Sequence, residues 1–249
     1  MSGLGGHKDD AAGAAAPAGG CAAAPSGAAA PGGGLAAPSG AEAYVDWTLR
    51  SYLERLASDS PEPGGGSVAA LVGALGAALV SMVTHLTLGK PKYADVQDEM
   101  AKLEERAAQL RAQLEDLVTL DAQAYGAVAE AMKLPQEDEA QKAERKQVLQ
   151  AALNGAAAVP LKIALTAVEV AKLSLPAAEK GNLYAVSDAG VAVLLADAAA
   201  QAAAVNVKIN LAWIEDEQFK SAAWARIEEA LSETSQLREQ VLSVTYSKL

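Results

Sequence analysis

From residue 42 onward, apolar side chains recur at helical spacing and almost never alternate as they would in a half-buried strand. Residues 42–56 put Tyr44, Val45, Thr48, Leu49, Tyr52, Leu53 and Leu56 on one side, which predicts an amphipathic helix closed off by Pro61 and Pro63. The next predicted helix, 67–88, contains no acidic residue, lysine or arginine. It is entered through Pro63, Gly64, Gly65, Gly66 and Ser67. The glycines let the backbone turn sharply and let another group approach closely, and Ser67 offers a capping oxygen. Gly89, Lys90, Pro91, Lys92 and Tyr93 break the pattern, and a long helix is predicted over 95–132, stopped by Pro135. Further helices are predicted over 137–158, where Pro160 ends or kinks the chain, and over 161–175, up to Pro176. A polar loop around Asn182 leads into small-residue positions 187–211, and an amphipathic helix over 217–246 completes the set. The predicted fold class is all-α, a helical bundle with the small-residue helix 67–88 buried at its centre.

One carboxylate interrupts this pattern. Along 95–132 the core series runs Val96, Met100, Leu103, Ala107, Leu110, Leu114, Leu117 in alternating steps of four and three. The next step lands on Asp121, after which Tyr125 (or Ala124), Val128 and Met132 resume it. A buried carboxylate needs a donor, a cation or a wet cleft. Asp121 therefore reads either as a core acid satisfied by a neighbouring helix or as a functional group.

Two other stripes carry polar groups. Asp188, Ala192, Leu195, Ala199, Ala202, Asn206 and Asn210 share one face of 187–211, while Asp197, Gln201 and Lys208 lie opposite and read as a solvated face. Ser187 and Asp188 suit a helix start; Asn206 and Asn210 suit a cleft edge or a bridge between helices. On 67–88 the stripe Ser67, Ala70, Ala74, Ala78, Ser81, His85 is narrow enough for a flat ligand or for close helix packing. His85 reads as a structural histidine, and the other histidine, His7, falls in the N-terminal segment, so a histidine-rich metal site is excluded. Lys90 and Lys92 follow a helix end, where they either complement the helix dipole or contact an anion. The triple glycine matches no phosphate-loop or dinucleotide fingerprint.

Composition narrows the choice. Residues 1–40 are nearly all Gly, Ala, Pro and Ser, the makeup of a disordered tail, leaving 41–249 as a single helical domain. The formal charge of −11 argues against a nucleic-acid surface. Length alone would let 67–88 span a membrane, but its residues are mostly small and include His85, so packing inside a bundle is the expectation. The single cysteine, Cys21, lies in the tail and is compatible with a reducing, cytoplasmic setting.

The stretches PEPGGGSVAALVGALGAALVSMVTHLTLGKPKY, LVTLDAQAYGAVAEAMKLP, PLKIA and KGNLYAVSDAGVAVLLADAAAQAAAVNVKINL together resemble the cyclodeaminase/cyclohydrolase family, which acts on one-carbon adducts of tetrahydrofolate. The likeness runs in order from about residue 44 to 246 and leaves the tail outside. Its middle segments are closer to stand-alone methenyltetrahydrofolate cyclohydrolases than to the C-terminal part of formiminotransferase-cyclodeaminase. The resemblance implies an all-helical homodimer, a folate substrate and no metal or redox cofactor. It also implies Asp121 as the catalytic acid/base. The substrate cleft is expected from the helix starts at Gly64, Gly65, Gly66 and Ser67 and at Asn182 and Asp188. Lys90 or Lys92 is expected near the glutamyl carboxylates. Formiminotetrahydrofolate cyclodeaminase is the alternative activity. A non-catalytic folate-binding or scaffold dimer, with 95–132 as its seam, is the alternative of a different class.

Overall fold

The computed structural model describes residues 43–249; the predicted tail lies outside them. Six α-helices follow one another: α1 Leu49–Leu56, α2 Gly65–His85, α3 Gln97–Met132, α4 Glu139–Lys180, α5 Val186–Leu211 and α6 Glu217–Lys248. Short 3-10 turns at Tyr44–Asp46, Pro91–Val96 and Leu183–Ala185 lead into α1, α3 and α5. No strand occurs among the described residues, so the all-α expectation holds. Side-chain caps start three helices: Thr48 accepts from Ser51 N–H, Asp138 from Gln141 N–H and Asp216 from Phe219 N–H. Thr48 thereby cuts the first predicted helix short. Leu49 and Leu53 face solvent, and Tyr52 is the one buried side chain of α1.

The heptad reading of α3 is borne out, with Met100, Leu103, Ala107, Leu110, Leu114, Leu117 and Val128 all in the core. Two predicted helices are instead one: α4 runs unbroken through Pro160 and Pro176. Proline lacks an N–H, so Pro160 leaves the Ala156 carbonyl without its helical donor. Asn210 of α5 donates its Nδ2–H to that carbonyl at 2.7 Å, which replaces the hydrogen bond the proline cannot make.

Helix α2 is not the enclosed centre that its composition predicted. It packs on α3, α4 and α5, whereas α4 touches α2, α3, α5 and α6 and is the more central helix. Close packing of α2 runs through its glycines: Gly73 sits between Leu114 and Ala199, and Gly76 against the Ala192 carbonyl and Leu195. α2, α4 and α5 are each long and apolar enough to cross a membrane, yet more than half of each apolar stretch is packed within the bundle. The outer faces of α2 and α5 stay open side by side.

On the predicted solvated face of α5, Gln201 and Lys208 are exposed, but Asp197 is covered by α6. Asp197 is buried; its Oδ2 accepts from Arg238 at 2.5 Å and from Gln201 at 2.8 Å. Arg238→Met is expected to destabilise the fold by about 2–3 kcal/mol in chemical denaturation, because it leaves a charge buried without its partner. That falls below the cost for a fully enclosed pair because 30% of the Arg238 side chain stays exposed. The double variant Asp197→Asn/Arg238→Met should recover most of the loss.

Candidate active site

The first turn of α2 has no side-chain cap of its own, since Gly64 stands at the N-cap position. One of its orphan donors is met from α3: the Ser67 N–H donates to Asp121 Oδ2 at 2.9 Å. The Ser67 hydroxyl donates to the Val118 carbonyl one turn earlier on α3, which locks the two helices in register. Gly66 is what lets the acid lie this close. A Cβ there would overlap the carboxyl group, with Oδ2 only 2.7 Å away. Beside it Asn206 of α5 covers Gly65, where a Cβ would meet Nδ2 at 3.3 Å and Oδ1 at 3.4 Å. Two successive glycines are thus each overlaid by one polar side chain.

Burial pushes the Asp121 carboxyl up to about 6, against the opposing effect of the Ser67 N–H. The group is therefore mostly ionised at pH 7 and able to accept and return a proton near neutrality. It opens on a cavity of about 40 Å³ lined by Gly64, Gly65, Tyr125, Val128, Asn206 and Asn210, among others. That space suits a few water molecules rather than a drug-sized ligand, so a larger reactant must approach from its mouth. Tyr52 of α1 is buried near Ser67, and its hydroxyl has no hydrogen-bond partner among the described residues. Burial pushes the pKa of this phenol up, which keeps it a neutral donor.

The structure brings Gly64, Gly65, Gly66, Ser67 and Asp121 together and sets the other predicted residues apart from them. α2 and α5 run antiparallel, with Gly65 beside Asn206 and the Leu86–Thr87 end beside Asn182. Their N-termini therefore lie at opposite ends of the bundle, separated by roughly 30 Å of helix. The single-chain cleft expected from both helix starts does not form. Asn182 instead fastens the far end: its Nδ2–H donates to the Leu86 carbonyl, its N–H to Thr87 Oγ1, and its Oδ1 accepts from the Tyr184 N–H and the Tyr93 hydroxyl. Lys90 and Lys92 are exposed at that same end, Lys92 standing 5.5 Å over the Tyr93 ring, and Asp188 is half-buried in the first turn of α5. His85 is also there, exposed, 3.6 Å from Glu104. The spacing marks Asn206 and Asn210 as cleft-edge or bridging residues and Tyr52 as a core residue, but not what they serve, because the glycines and the proline lie on other helices.

A family model described as formiminotransferase-cyclodeaminase matches residues 48–229. A methenyltetrahydrofolate cyclohydrolase from Methylorubrum extorquens is 41% identical over 202 residues, covering 81% of this chain and 97% of that protein. The formimidoyltransferase-cyclodeaminase of Mus musculus is 38% identical over 192 residues, 77% of this chain but only 36% of the mouse protein. The crystal structure of a formiminotetrahydrofolate cyclodeaminase from Thermotoga maritima superposes with a TM-score of 0.74 at 32% identity, covering 82% of this chain and 98% of that one. With a family model matching well over half its length and a relative of matching size at this identity, the chain belongs to the formiminotransferase-cyclodeaminase family.

Proposed function

We propose that this protein hydrolyses 5,10-methenyltetrahydrofolate to 10-formyltetrahydrofolate, with Asp121 as general base and then general acid. One observation carries the reading: a buried carboxylate, pushed up to about 6 and held by a backbone N–H, faces a water-sized cavity. The substrate is a cation whose charge spreads over N5, the bridging carbon and N10. An ionised Asp121 stabilises that charge and takes a proton as water adds to the bridging carbon. The carbon–N5 bond then breaks, N5 receives the proton from Asp121, and the adduct's hydroxyl proton leaves to solvent as the formyl group forms. The likeness to the Methylorubrum cyclohydrolase along nearly all of that protein supports this choice.

The Thermotoga structure favours a second reading, release of ammonia from formiminotetrahydrofolate, in which Asp121 would protonate the departing nitrogen. Two assays separate the readings. Loss of methenyl absorbance above the spontaneous rate supports hydrolysis, and ammonia release from formiminotetrahydrofolate supports deamination. Thermal stabilisation by folates without turnover would leave a binding module, and none of the three would leave a scaffold.

The same proposal includes a homodimer in the cytoplasm, working without a metal or redox cofactor. Leu75, Met82, Val191, Leu194, Val205 and Ile209 form an apolar face across α2 and α5 and are 42–70% exposed, more than a lone chain ordinarily leaves to water. A two-fold axis across these antiparallel helices would bring the Lys90, Lys92, Asn182 and Asp188 end of one copy to the Asp121 end of the other. Lys90 and Lys92 then remain the candidates for the glutamyl carboxylates. Sedimentation should report a dimer for the wild type and a monomer for Leu75→Glu/Val205→Glu.

A further inference from the structure

The cavity beside Asp121 has a second polar wall that the acid–base assignment leaves without a role. Asn206 donates its Nδ2–H to the Ala202 carbonyl at 2.9 Å, one turn back on α5, and this fixes the plane of its amide. Its Oδ1 makes no hydrogen bond among the described residues. It lies over Gly65, in the lining of the cavity that also holds the Asp121 carboxylate. At about 40 Å³ the cavity has room for about three waters, each of which needs two or more polar partners to stay. Asp121 supplies one acceptor, and a water donating one proton to it has a second proton to place. Asn206 Oδ1 is the acceptor offered for that proton. The remaining lining is mixed, with Val128, Ile209 and Ala156 apolar and Glu62, Tyr125 and Asn210 polar; among the polar groups Asn206 is the one set over Gly65, next to the Gly66 that Asp121 overlies.

We propose that Asn206 holds the hydrolytic water, accepting one of its protons so that the other points at Asp121 and an oxygen lone pair points out of the cavity mouth. The substrate's bridging carbon then meets a preoriented nucleophile at that mouth. The inference rests on the cyclohydrolase reading, because a ring-closing deamination consumes no water and has no use for this site. It gives the cavity a size requirement as well as a polarity requirement. A side chain of the same branched shape without an acceptor should keep the fold and lose the water.

The test compares Asn206→Leu with Asn206→Ser in the methenyl absorbance assay, alongside wild type and thermal melts. The Asn206 amide bonds only to a carbonyl already inside its own helix, so both variants should melt within a few degrees of wild type. Asn206→Leu should lower kcat by about 10–100-fold with KM changed less than about threefold, the pattern for a group acting on the chemical step. Asn206→Ser, with a hydroxyl and space for one more water, should retain several-fold more activity than Asn206→Leu. An unchanged kcat in Asn206→Leu overturns the inference while leaving Asp121 and the proposed function standing. Equal losses in both variants with lowered melting temperatures overturn it in favour of a structural role. An active deaminase with no methenyl hydrolysis in the wild type overturns it together with the cyclohydrolase reading.

Discussion

Asp121→Asn is expected to cut turnover by about 10²–10⁴-fold and, at the same time, to raise the melting temperature above neutral pH. The two effects have one cause. Burial holds the folded-state carboxyl at about 6 against an ordinary value of 3.8, so the folded protein prefers the protonated acid. A carboxyl raised in this way favours folding fully below its unfolded value, and that benefit disappears as pH rises through about 6. At pH 8 the ionised acid therefore costs up to about 3 kcal/mol. Asparagine keeps the shape and still accepts from the Ser67 N–H but is never charged. The variant should melt several degrees above wild type at pH 8, with the gap narrowing at pH 6 and gone near pH 4. In wild type, kcat/KM should rise through about pH 6 to a plateau. A melting difference that does not vary with pH would mean that Asp121 titrates as an ordinary surface acid.

The second large effect is expected at Gly66. A Cβ at this position would overlap the Asp121 carboxyl, so Gly66→Ala must displace the acid or the first turn of α2. Overpacking of this kind costs about 1–3 kcal/mol, and a catalytic group moved by about 1 Å loses about 10² in rate. Gly126, on the same long helix as Asp121, has nothing within 4 Å of the added carbon. Gly126→Ala should be neutral or stabilising by up to about 1 kcal/mol, as expected for alanine replacing glycine inside a helix. The pairing can be checked directly with a double-mutant cycle. Gly66→Ala should cost little stability when Asp121 is also alanine, because the clash has then gone. Equal costs in both backgrounds would place the strain elsewhere.

The acid was visible in the sequence because a sustained core series makes one wrong residue conspicuous: Leu114, Leu117, then Asp121. The glycines before α2 were visible for a related reason, since three in a row must serve backbone geometry or close approach. What joins them was not visible. Nothing in local spacing says that Gly66 lies under Asp121 or Gly65 under Asn206, residues 55 and 141 positions away. The unbroken α4 was hidden likewise, because the donor that repairs Pro160 belongs to Asn210 on another helix. Periodicity also carries no direction. It marked helix starts near Ser67 and near Asp188 but not that the two helices run antiparallel, which puts those starts at opposite ends of the bundle. Asp197 reads as a solvated acid from spacing alone because α6, which covers it and supplies Arg238, is placed there only by tertiary packing.

The most direct test of Asp121 as the acid/base of a folate hydrolase follows methenyl absorbance at pH 7.5 with wild type and Asp121→Asn at equal concentration, both shown to be folded. Wild type should clear the absorbance well above the spontaneous rate, and Asp121→Asn should fall at least about 10²-fold below it with little change in KM. Comparable rates for the two proteins would contradict the account.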